Sequence, residues 1–275
     1  MPVISILHIT APLLVVTMGA LISEYAGRMA MFLEYIINLG AFFCFAFTIL
    51  THNIAAAFFL SVLSCTLITI IFERLATRSK ANMFFVSLAL NMLYGASTTL
   101  FSSLFFGTRG VLYSELFSFE APSMRIATSI LCYAFAFLQI AMLVKTTPGL
   151  TLRITGSNAD MLRAQGISVS FYKMLSWIFA AADGALCGCV LAARLSSFVP
   201  GMSSGRGWTA LAAVFLGKKH PFLVALSVAA FALAEWLSTN IQNIAMFKNV
   251  PHSLLLALPY LLSLLLIIAV PQKAE

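Results

Sequence analysis

Residues 54–72 read Ile54-Ala55-Ala56-Ala57-Phe58-Phe59-Leu60-Ser61-Val62-Leu63-Ser64-Cys65-Thr66-Leu67-Ile68-Thr69-Ile70-Ile71-Phe72, nineteen residues without an ionisable acid or base, closed by Glu73 and Arg74. As a helix this run is about 28 Å long, close to the roughly 30 Å of a bilayer's hydrocarbon core. It reads as a membrane span. Working outward, the same reading applies to 3–23, 36–50, 81–106, 126–144, 174–193, 222–239 and 253–270. A shorter apolar run, 209–217, lies between Gly205-Arg206-Gly207 and Gly217-Lys218-Lys219. The expectation is an all-α polytopic membrane protein with eight full transmembrane helices plus one short, broken helix. These form a single transmembrane domain over residues 1–275.

Composition points the same way. The chain has 275 residues, 61% of them hydrophobic and 9% charged, with a mean hydropathy of +0.99. An ordinary soluble domain carries about 25% charged residues, so this chain has too few polar side chains to cover a water-facing surface. The net charge of +7 comes from Lys and Arg scattered in the gaps between apolar runs. That pattern argues for membrane lipid as a partner and against nucleic acid. Cys44, Cys65, Cys132, Cys187 and Cys189 all fall inside apolar runs without zinc spacing, and read as packing residues. No metal site is expected. The first apolar stretch has no cationic segment ahead of it and reads as a retained span, not a cleaved signal.

Orientation follows from the Lys and Arg count. Segments 24–35, 73–80, 145–173, 218–220 and the tail carry eleven of the sixteen, against five in 51–53, 107–125, 194–208 and 240–252. Positive residues accumulate inside, which makes 145–173 and the C-terminus cytoplasmic. If 209–217 crosses the membrane, the N-terminus lies outside.

The connection 145–173 has structure of its own. After Pro148-Gly149 comes Gly156-Ser157-Asn158-Ala159-Asp160-Met161-Leu162-Arg163-Ala164-Gln165-Gly166. Asn158 suits an N-cap, Asp160 the positive first turn and Gly166 a C-terminal stop. The two turns between them are too short to be stable unaided, so this helix needs a surface to dock against, with Met161 and Leu162 as apolar knobs. An amphipathic helix on the lipid surface is disfavoured by its small apolar face.

Four stretches together resemble the inner-membrane permease subunits of ABC-type importers. They are Ala11–Glu24 with Leu33-Glu34, Leu88-Ala89-Leu90-Asn91, the capped loop Gly156–Ile167, and Gly205–Val214 with Leu216-Gly217. Leu254–Leu262 is similar to the family's last span. The likeness is closest to the nucleoside-type branch, related to simple-sugar and branched-chain amino-acid permeases. It implies a transport subunit for a nucleoside-like solute, with riboflavin or a simple sugar as alternatives. It also implies a separate ABC ATPase subunit that uses the ATP, a second homologous permease, an extracytoplasmic substrate-binding lipoprotein, and no cofactor on this chain. The capped loop becomes the coupling helix, with Asn158, Asp160, Met161, Leu162, Arg163 and Gly166 at the ATPase. An internal duplication is implied, in which the segments around Glu34 and Arg206 correspond. Tyr35 stands where the family usually has Gly, and Asp183 where it tends to have a small polar residue.

Polar groups inside spans cost several kcal/mol and usually face a cavity or a partner, which singles out Glu34, Asn91, Asp183, Arg206 and Glu235 as pathway candidates. Glu34 and Arg206 sit in the two interrupted segments, where transporters often place their path. Each candidate has a structural alternative. Arg206 could pair with a carboxylate, Asp183 could cap or pair within the bundle, Asn91 could bond between helices, and Glu235 could lie solvated at the outer interface. An intramembrane lipid-modifying enzyme is the alternative from another class. Against it, the chain lacks a phosphate-binding glycine loop, His-Glu-x-x-His, Gly-x-Ser-x-Gly and any cluster of acids.

Overall fold

The computed structural model describes residues 2–119 and 121–240. The expected last span, 253–270, with the stretch Leu254–Leu262, lies outside the described residues. The helices are α1 Pro2–Tyr25, α2 Leu33–Thr51, α3 Ile54–Arg78, α4 Met83–Phe106, α5 Ala121–Lys145, α6 Thr147–Ser157, α7 Ala159–Ala164, α8 Val169–Leu195, α9 Arg206–Leu216 and α10 Pro221–Asn240. Among the described residues seven helices are long and apolar enough to span a membrane: α1 to α5, α8 and α10. The described residues include one isolated bridge between extended residues, Leu112 with Phe198.

Each expected span within the described residues is present, with ends that differ in places from the apolar runs. α2 starts at Leu33, three residues before the apolar run, because Glu34 belongs to its first turn. α3 continues past the apolar run to Arg78, carrying Glu73, paired to Arg28, on its buried face one turn before the last. α6 was not anticipated: Pro148 lies at the start of an eleven-residue helix whose N-cap, Thr146, accepts from the Gly149 amide at 3.4 Å. Proline's missing N–H is harmless there.

α2, α8 and α1 form the centre. The Ala-Gly face of α8 lets backbones touch: a Cβ on Gly188 would stand 2.0 Å from the Ile37 carbonyl oxygen, and one on Gly40 2.6 Å from Ala185 Cα. Small residues at spans' contact faces make this close approach possible. α3, α4 and α5 lie outside, with Leu67, Ile71, Phe85, Met92, Ile130 and Phe137 exposed, as lipid-facing helices require.

Two ends can be distinguished. At the loop end, α6 packs on the turn after α1, where Gly27 and Gly156 approach to 3.2 Å from a Cβ position. Lys219 Nζ there pairs with Glu24 at 2.8 Å, and the Arg28 carbonyl accepts from Trp177 Nε1 at 3.0 Å. At the far end, Leu112 and Phe198 exchange hydrogen bonds of 2.9 and 3.0 Å, and the Phe119 amide donates to Ser196 Oγ at 3.1 Å. α8 finishes at the far end, whereas α9 finishes at the loop end beside Glu24 and Tyr25. The segment 196–216 therefore crosses the bundle, its first half as turns and its second half as α9.

Candidate functional site

The starts of α2 and α9 meet inside the bundle. A helix start leaves backbone N–H groups without intrahelical acceptors, and at membrane depth water cannot supply them. Glu34 supplies them here. Its Oε1 accepts from the Gly205 amide at 2.8 Å and Ser203 Oγ at 2.5 Å, and its Oε2 accepts from the Gly207 amide at 2.8 Å. The carboxylate thus lies at the positive end of α9. Gly207 allows the contact, since a Cβ there would stand 2.4 Å from the Glu34 nitrogen. One turn along α2, Asn38 Nδ2 donates to Ser203 Oγ at 2.8 Å and its Oδ1 accepts from the Ser203 amide at 3.3 Å. The start of α2 has its own acceptor, Asn91 Oδ1, which takes the Tyr35 amide at 3.1 Å. The Tyr35 ring lies over Gly95, where a Cβ would come within 2.8 Å of it.

Arg206 turns the opposite way. It forms an ion pair with Glu235 on α10 and donates to the carbonyls of Met202 and Ser203 at 3.5 and 3.4 Å. Its Nε is buried with no partner among the described residues. Arg206, Arg125, Arg194, Trp236, Thr239 and Asn240 are among the residues lining a far-end cavity of about 760 Å³. Arg194 is fixed there by hydrogen bonds to the His8 carbonyl at 2.6 Å, Ser129 Oγ at 2.8 Å and Thr128 Oγ1 at 2.9 Å. The cavity has the volume of a small-molecule site and presents guanidinium and amide donors beside an indole.

The five pathway candidates therefore separate. Arg206 lines the cavity and Glu235 holds it there. Glu34 and Asn91 serve the two helix starts. Asp183 is fully buried, receives Gln139 Nε2 at 2.8 and 3.0 Å, and backs onto Gly19 of α1, joining α1, α5 and α8. Sequence reasoning missed Asn38, Ser203 and Gln139. Asn38 was detectable as an amide inside the apolar run 36–50, while Ser203 carried no signal of its own.

At the loop end, α7 forms as its caps require. Asn158 Oδ1 accepts from the Met161 amide at 3.1 Å, Arg163 pairs with Asp160 at 2.8 Å on the exposed face, and Gly166 takes the left-handed conformation. The expected pair of knobs is corrected. Met161 is 47% exposed, but Leu162 is 1% exposed and packs into its own chain, so only Met161 projects.

Residues 3–271 match the family described as branched-chain amino acid transport system / permease component. The chain belongs to this permease family. Among curated proteins, the permease is 27% identical to the guanosine ABC transporter permease protein NupQ of Bacillus subtilis, over 96% of its own length and 90% of that protein's. It is 26% identical to the nucleoside ABC transporter permease protein NupC of Lactococcus lactis, over 99% and 92%. A putative glucose ABC transporter permease protein of Haloferax volcanii is 25% identical over 85% and 75%. The permease is a multi-pass membrane transport subunit of an ABC importer and not an enzyme, and works with ATPase and substrate-binding partners.

Proposed function

We propose that the permease carries a nucleoside-like solute, passing it along the face of the bundle where Arg206 meets the far-end cavity. The reading is carried by the two relatives whose names specify guanosine and nucleosides and which align with nearly the whole chain. The cavity's volume and its mix of guanidinium, amide and indole groups support a small polar ring system as cargo. Arg206 and Glu235 hold the wall of the path, and Glu34, Asn91 and Asp183 keep the helices beside it in register.

The loop end faces the cytoplasm, supported by the excess of Lys and Arg there. α7 is the element that docks on the ATPase: Met161 projects, Asp160 and Arg163 flank it, and Asn158 and Gly166 fix its length. Leu162 holds α7 to the bundle. A second permease subunit completes the translocation path, a substrate-binding lipoprotein delivers cargo to the far end, and the C-terminus returns to the cytoplasm. ATP is used by the partner subunits, and this chain carries no cofactor or metal.

The test is uptake of labelled guanosine into proteoliposomes holding the assembled transporter, with competition by adenosine, riboflavin and glucose. ATP-dependent uptake, reduced by adenosine alone among the competitors, is the expected result. Reduction by riboflavin or glucose without reduction by adenosine overturns the assignment.

A further inference from the structure

We propose that the cleft where the ends of α3 and α8 meet at the loop end holds the phosphate of an anionic lipid headgroup. The cleft measures about 300 Å³ and is bordered by Arg74, Arg78, Ser168, Ser170 and Phe171. Arg74 and Arg78 stand one turn apart on the same face of α3, and among the described residues neither is within ion-pair distance of a carboxylate. Glu73 borders the same cleft, but its Oε1 is committed to Arg28 and to the Thr77 hydroxyl. Two guanidinium groups with free forks and two serine hydroxyls make a donor set matched to phosphate oxygens.

Position selects the lipid as the source of that phosphate. Leu67, Ile71, Arg74 and Arg78 follow one another at the spacing of a single helical stripe. Leu67 and Ile71 are 49% and 56% exposed on the lipid-facing side of α3. A lipid lying along this stripe places its acyl chains on the two apolar residues and its phosphate between the two arginines. Basic pockets between spans are known headgroup sites. Ser168 is also the first residue of α8's cap, directly after the loop from α7, so a bound headgroup braces that loop against α3.

The experiment is native mass spectrometry of the full-length permease, extracted with the partners it retains and offered equal amounts of phosphatidylglycerol and phosphatidylcholine. Two cations at the headgroup level give roughly a thirtyfold preference for the anionic lipid. The Arg74→Gln/Arg78→Gln variant is expected to lose this preference. A Lys145→Gln/Lys218→Gln variant, with the same charge removed from exposed positions at the same end, is expected to keep it. Retention of phosphatidylglycerol in phosphate buffer supports the lipid as the occupant, whereas its displacement by inorganic phosphate overturns the lipid assignment in favour of a free-anion site. The proposal also fails if the wild type shows no preference, or if the two double variants lose it equally.

Discussion

Glu34→Ala is the substitution with the most to teach. Removing the carboxylate strands the buried amide of Gly207 and the half-buried amide of Gly205, while Ser203 Oγ keeps Asn38 as a partner. Leaving a buried donor unsatisfied costs about 1–3 kcal/mol, so the two together cost at most about 2–6 kcal/mol. Loss of a negative charge from the start of α9 adds about 0.3–2 kcal/mol. At about 2–4 °C per kcal/mol for a chain of this size, the melting temperature should fall by roughly 5 °C or more. The five cysteines are all buried, so a thiol-reactive dye added during heating reports unfolding without any engineered probe. Glu34→Gln, which keeps one carbonyl acceptor, should fall by about half as much. If Glu34→Ala melts within about 2 °C of wild type yet abolishes uptake, the capping argument is refuted and the carboxylate acts on the cargo itself.

Two further outcomes follow from the loop end. Met161→Glu should release the ATPase during purification while leaving the melting temperature unchanged, because the side chain is exposed; Leu162→Ala should instead lower stability by about 2–5 kcal/mol, read by the same dye, because the side chain is buried. Single cysteines introduced at 160 and 113, in a background with the native thiols left in their buried sites, should be labelled from opposite sides of the membrane, with 160 reached from the cytoplasm. Labelling of both from one side would overturn the orientation.

The spans were legible because lipid imposes one rule on every helix that faces it, and runs such as 54–72 obey it without exception. What hydropathy could not convey was the use made of the exceptions. Glu34 interrupts an apolar pattern and so reads as a break, although in the folded chain it lies within a helix and completes another one. Its partners lie 169 to 173 residues away, and no local pattern specifies them. The Arg206–Glu235 pair was foreseeable in kind, since a charge at that depth needs a counter-charge, but not in identity. α7 was read from its caps because capping is local chemistry; the direction of Leu162 was not, because a two-turn helix has too few residues to define a buried face by periodicity. α6 had a local signal that went unused, Thr146 as the N-cap ahead of Pro148 in the first turn.

The half-length of α9 bears on how the chain enters the membrane. Eleven helical residues extend about 16 Å, half the hydrocarbon thickness. The turns before it expose backbone groups that cost several kcal/mol each if they face lipid. Such a segment cannot partition sideways into the bilayer on its own hydrophobicity; it needs a protein wall already in place. Synthesis provides one in the right order. Glu34 precedes Gly205 by 171 residues, on the order of 10–30 s of elongation, so the acceptor is installed before its donors leave the ribosome. Moved to the front of the chain, the same eleven residues would emerge with no wall to meet and would be left in water.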